Sequence, residues 1–132
     1  MPSDAASGGG LAGEGTRAPS DLFASARSMP ESLSAEAAVL GSMLVDPSCI
    51  GQVVEQLKAD AFYRVEHQMM FDAIVALYEK NKGEGLDVVL LRDELEKRRQ
   101  LEEVGGVEYI ARVVNSVPSA ANVMYYAGIL KD

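Results

Sequence analysis

His67 is the only histidine in the chain, and it directly follows Glu66. A histidine beside a carboxylate is the minimal equipment for acid–base chemistry, or for half of a metal site. The spacing argues against both. Adjacent positions on a helix diverge by about 100°, so the two side chains do not converge on one ligand, and no second histidine stands at helical spacing. A structural histidine packed near Phe71, one turn on, is expected. Cys49 is the single cysteine and cannot form an internal disulfide. It sits between Ser48 and Ile50 on an amphipathic stretch, where a covered thiol is expected rather than a nucleophile. A nucleotide-hydrolysing loop needs Gly-Lys-Ser/Thr, whose backbone amides wrap the phosphates while the lysine neutralises them. Lys58, Lys80, Lys82, Lys97 and Lys131 all follow residues other than glycine. No catalytic, cofactor-binding or metal-ligating residue is therefore expected.

Contact chemistry is better represented. Tyr109, Tyr125 and Tyr126 each combine a large apolar ring with a polar tip. Adjacent tyrosines on one helix cannot both point inward. If Tyr126 faces the core, Tyr125 is exposed and becomes an interface residue. The six methionines, including Met69-Met70, are expected mainly as core filler.

The 132 residues allow one domain, and an apolar fraction of 48% is enough for a packed core. Twelve basic against twenty acidic side chains leave a net charge of -8, which disfavours direct DNA binding, because that affinity comes mainly from Lys and Arg displacing counterions. The acidic surface suits solubility and a basic protein partner. No apolar stretch approaches the ~20 residues that span a bilayer; with the lone cysteine, a soluble cytoplasmic protein is expected.

The elements that must carry these residues are helical. Residues 1–29 are rich in Gly, Ala and Ser, with an isolated apolar pair at Leu22-Phe23, and read as a disordered arm without the features of a secretory signal. From Pro30 onward helical spacing dominates. Ser34 is expected to cap a first helix with Glu36 in its first turn and Val39, Leu40, Met43 and Leu44 inward; Gly41 and Ser42 imply close approach of a neighbouring helix. Asp46-Pro47 stops that helix and starts a second, with Ile50, Val53, Val54 and Leu57 inward. Asp60 to Lys82 carries the largest side chains, among them Phe62, Met70, Phe71, Ile74 and Leu77, and marks a central helix ended by Gly83 and Gly85. Asp87 is expected to cap a fourth, with Val88, Leu91 and Leu95 inward and a solvated charge run over residues 92–99. Gly105-Gly106 opens a fifth with Val107, Ile110, Ala111 and Val114 inward, stopped by Val117-Pro118. A sixth starts near Ser119, carries Val123, Tyr126, Ala127 and Leu130, and reaches Lys131-Asp132 without a stop signal, so more sequence is expected there. No heptad persists, and the fold class is all-α: a compact bundle of about six short helices.

The segment Pro30-Glu31-Ser32-Leu33-Ser34-Ala35-Glu36-Ala37-Ala38-Val39-Leu40-Gly41 resembles the opening signature of DnaB-type replicative helicases, Pro-x-Ser-x-Glu-Ala-Glu-x-Ala-Val-Leu-Gly, with Ser34 departing from it. Asp46-Pro47, then Phe62-Tyr63 with His67 and Phe71, then residues Leu101 to Tyr109, then Val117 to Val123 with Tyr125-Tyr126-Ala127, follow in the order of that family's N-terminal domain. Each string alone is weak, and their order and spacing are specific. The resemblance implies a collar domain that self-associates as a dimer or hexamer ring and docks the C-terminal domain of primase, with a helicase loader as a further partner. It implies that ATP and Mg belong to an ATPase domain outside this chain, and that the parent protein unwinds DNA. The candidate partner interface is Glu102, Glu103, Tyr109, Tyr125 and Tyr126. The competing reading is a stand-alone regulator that occupies a helicase collar interface; the reading frame beyond Asp132 separates the two.

Overall fold

The computed structural model describes residues 28–81 and 86–131. The expectations for the arm before residue 28, and for Gly83 and Gly85 as a helix stop, lie outside them. Among the described residues there are six α-helices and no strand: α1 (Ser28–Val45), α2 (Ile50–Gln56), α3 (Val65–Asn81), α4 (Val88–Lys97), α5 (Gly106–Val114) and α6 (Val123–Lys131). Short 3-10 turns at Pro47–Cys49 and Ala59–Ala61 join α1 to α2 and α2 to α3.

Helix α1 begins at Ser28, so Ser34 lies inside it and is not its cap. Pro30 falls in the first turn, where a missing N–H costs nothing. Val39, Leu40, Met43 and Leu44 are buried as their spacing requires. Asp46 closes the helix and opens the next turn, its Oδ1 accepting from the Ser48 N–H at 3.1 Å. Ile50, Val53 and Leu57 continue the core from α2 and its end. Helix α3 starts at Val65 rather than Asp60, because Ala59–Ala61 forms a separate 3-10 turn and Phe62 is extended. Phe62 and Phe71 still meet with ring centroids 5.0 Å apart, and Met70, Ile74 and Leu77 bury the inner face of α3. Asp87 caps α4, accepting from the Leu90 N–H at 3.0 Å, and Leu91 and Leu95 are buried.

Two local conformations set the connection from α4 to α5. Arg99 takes a left-handed φ of 60°, and the Gln100 N–H donates back to the Leu95 carbonyl at 2.8 Å. This is the helix-ending arrangement that normally recruits glycine. Gly105 and Gly106, with φ of 109° and 74°, then supply backbone that L side chains rarely adopt.

Helix α5 is rotated from its expected phase. Val107 is 44% exposed and Ala111 is also exposed, whereas Ile110 and Val113 are buried. The determining contact is non-local. A Cβ on Gly41 would lie 2.5 Å from the Val113 carbonyl oxygen, so α1 and α5 meet main chain against main chain, and the Val113 side of α5 faces inward. The close approach inferred from Gly41-Ser42 is therefore present. The helix ends at Val114, before Val117-Pro118. Helix α6 starts at Val123 rather than near Ser119, because residues 119–122 form a turn in which the Ser119 Oγ accepts from the Ala121 N–H at 3.3 Å. Val123, Ala127 and Leu130 are buried. The α6 end is tied to the α2 end by Lys131 Nζ donating to Gln56 Oε1 at 2.8 Å. No single helix among the described residues is long and apolar enough to cross a membrane.

Candidate functional site

His67 is buried on α3, and its partner is not Glu66. Glu66 turns outward to Arg64, 3.3 Å away; its own backbone N–H and then the Arg64 guanidinium hold its carboxyl below the usual carboxylate range. The buried acid is Glu36 from α1. Its Oε1 lies 2.5 Å from His67 Nδ1, and its Oε2 accepts from the Tyr63 N–H at 2.5 Å, with the Arg64 N–H 3.5 Å from Oε1. On the far side of the ring, Nε2 lies 2.6 Å from the Tyr109 hydroxyl, and the two rings stack at 5.8 Å. The ring thus bridges the two, with Nδ1 toward the carboxyl of Glu36 and Nε2 toward the hydroxyl of Tyr109. Phe71, the expected neighbour of His67, is also buried one turn on along α3, and its ring pairs with Phe62.

This chain ties α1, the start of α3 and α5 together through groups that sequence reading left apart. Glu36 stands 31 residues from His67 and Tyr109 42 residues away. Tyr109, an expected contact residue, is half-buried, with its hydroxyl committed inward and Arg64 5.9 Å over its ring. Burial pushes its phenol above the ordinary value, against the opposing pull of Arg64. The arrangement acts as a structural lock, joining α1, α3 and α5 through buried and half-buried polar contacts. No group of three or more His, Cys, Asp or Glu among the described residues is arranged to hold a metal ion. Cys49 is buried, and burial followed by the Asp46 charge raises its thiol from 9.0 to about 11.

The remaining candidates occupy two places. Glu102 and Glu103 are exposed in the turn before Gly105. Tyr125 is 67% exposed on α6, next to Met124 at 38%. Tyr126 is packed partly against the core, with its ring 5.6 Å from Tyr125 in an edge-on contact. Gly128 lies one turn beyond Met124 and Tyr125, and a Cβ there would meet nothing within 4 Å.

The three segments joined by the Glu36–His67–Tyr109 chain are also segments that carry the family resemblance. The model of the DnaB-like helicase N terminal domain matches residues 28–132. The chain belongs to this family. It is 42% identical over 114 residues to the replicative DNA helicase DnaB of Mycobacterium leprae, covering 86% of this chain and 18% of that protein. It is also 42% identical over 113 residues to the replicative DNA helicase DnaB of Geobacillus stearothermophilus, covering 86% and 24%. The chain thus spans less than a quarter of the length of these relatives. Among solved structures, the N-terminal domain of DnaB helicase from Mycobacterium tuberculosis matches with a TM-score of 0.70 and 42% identity, over 75% of this chain and 67% of that one. The helical bundle of this DnaB-family domain is therefore the family's fold.

Proposed function

We propose that these residues form the collar of a replicative helicase, a module that self-associates and docks the C-terminal domain of primase without catalysing a reaction itself. The observation that carries this reading is the exposed Met124–Tyr125 face of α6 on a domain whose relatives are replicative helicases. Exposed aromatic and thioether side chains beside a small residue make an apolar helix face. ATP-driven unwinding, with its ATP and Mg, is assigned to sequence beyond these residues, since no lysine here follows a glycine. A helicase loader is a further candidate partner.

Tyr125→Ala tests the reading. Sedimentation at micromolar concentration should show self-association of the parent chain, and the variant should associate more weakly with an unchanged melting temperature. A monomer that binds no primase C-terminal domain removes the proposal. ATP turnover by the purified chain would contradict the assignment of the motor elsewhere.

A further inference from the structure

We propose that the groove between the end of α2 and the outer face of α3 is a second docking surface, and that its occupant is a basic amphipathic helix of a partner protein. The groove has a volume of about 370 Å³ and is walled by Val54, Leu57 and Phe71, with Val75 and Ala76 along α3. Its lining shares no residue with the Glu36–His67–Tyr109 chain, and it sets apolar side chains beside the charges of Lys58, Asp72 and Glu79.

The charged lining residues identify the occupant. Asp72, Val75, Ala76 and Glu79 fall at offsets of three, four and seven, one face of α3, so the two acids bracket the apolar pair about 10 Å apart along the axis. Both are exposed, and neither joins an ion pair among the described residues. An aliphatic anchor between two basic residues seven positions apart on a partner helix matches that face. Lys58, at the α2 side of the groove, suits an acidic residue on the opposite edge of such a helix. The chain's net charge of -8 steers a basic partner inward and repels DNA and anionic lipid.

The test titrates a helical peptide of about 15 residues, with leucines between lysines seven positions apart, into the 132-residue chain while backbone amide resonances are followed. The comparison peptide carries glutamates in place of those lysines. The lysine peptide should shift the amides of Val54, Leu57, Val75 and Ala76 saturably and bind roughly tenfold or more tighter than the glutamate peptide. In Asp72→Lys/Glu79→Lys, changed only at exposed positions and expected to melt as the parent does, that preference should reverse. Equal affinity of the two peptides, shifts confined to α6, or a preference untouched by the charge reversal would overturn the proposal. So would self-association of the parent that this variant abolishes, because the occupant would then be a second copy. Tyr125→Ala leaves the groove intact, so failure of the α6 reading and failure of this one are separately visible.

Discussion

Glu36 presents two oxygens to three donors, and each donor is buried or half-buried, so its removal strands all of them at once. A buried hydrogen bond contributes about 1 kcal/mol net, whereas an orphaned buried polar group costs about 1–3 kcal/mol. Tyr109→Phe should therefore destabilise the domain by roughly 1–2 kcal/mol, and Glu36→Ala by more, through loss of the Tyr63 corner as well as of the His67 contact. Urea unfolding of both variants measures this; equal small losses would mean that the three groups do not act together. Cys49 provides a pH prediction. A thiol raised from 9.0 to about 11 in the fold favours its neutral form there. Its contribution is fully present below pH 9 and is lost as pH rises toward 11. Labelling by a disulfide reagent at pH 8 should be far slower in the native chain than in urea. None of this chain of contacts was legible in the sequence, because adjacency drew attention to Glu66, while the partner that matters is brought from α1 by tertiary packing.

At the scale of the element, caps and close approaches carry the predictions. Arg99 occupies a left-handed position at the end of α4, and Arg99→Gly should raise stability by up to about 1 kcal/mol. Gly41→Ala should do the opposite, by about 1–3 kcal/mol, since its methyl group would strike the Val113 carbonyl. Gly128→Ala meets nothing in the domain and should stabilise the isolated chain by up to about 1 kcal/mol; thermal melts of the three rank them directly. Sequence reading succeeded where periodicity ran long and caps were strong: the inner stripe of α1, the Asp46 stop and the Asp87 cap are all in place. It failed on short elements. Val107, Tyr109, Ile110, Ala111, Val113 and Val114 make α5 apolar enough for several phases to fit, and only Gly41 and His67, far away in the chain, choose between them. Ser34 was misplaced as a cap because Pro30 is compatible with an earlier helix start.

For the molecule as a whole, inside and outside are the quantities to test. Leu40 has no exposed surface, and Leu40→Asp should unfold the bundle, since an unpaired buried charge costs several kcal/mol, about as much as a small domain's entire stability. Circular dichroism at 25 °C reads this, and the same measurement on Tyr125→Ala should show an intact helical spectrum. The family and the bundle were legible from ordered motifs, because those motifs are caps, turns and small-residue contacts whose spacing follows the chain. The surfaces were less so: exposure of Tyr125 followed from helical phase, while the α2–α3 groove depends on how two helices meet.

The contact of Gly41 with the Val113 backbone has a mechanical consequence. Peptide against peptide leaves no side chain to yield, so this point acts as a fulcrum for α5, and the Tyr109 hydroxyl, one turn away, is the pin that stops it from rocking. Withdrawing the pin with Tyr109→Phe should free one end of the lever: amide exchange should quicken over residues 106–110 while Val113 and its neighbours keep their protection.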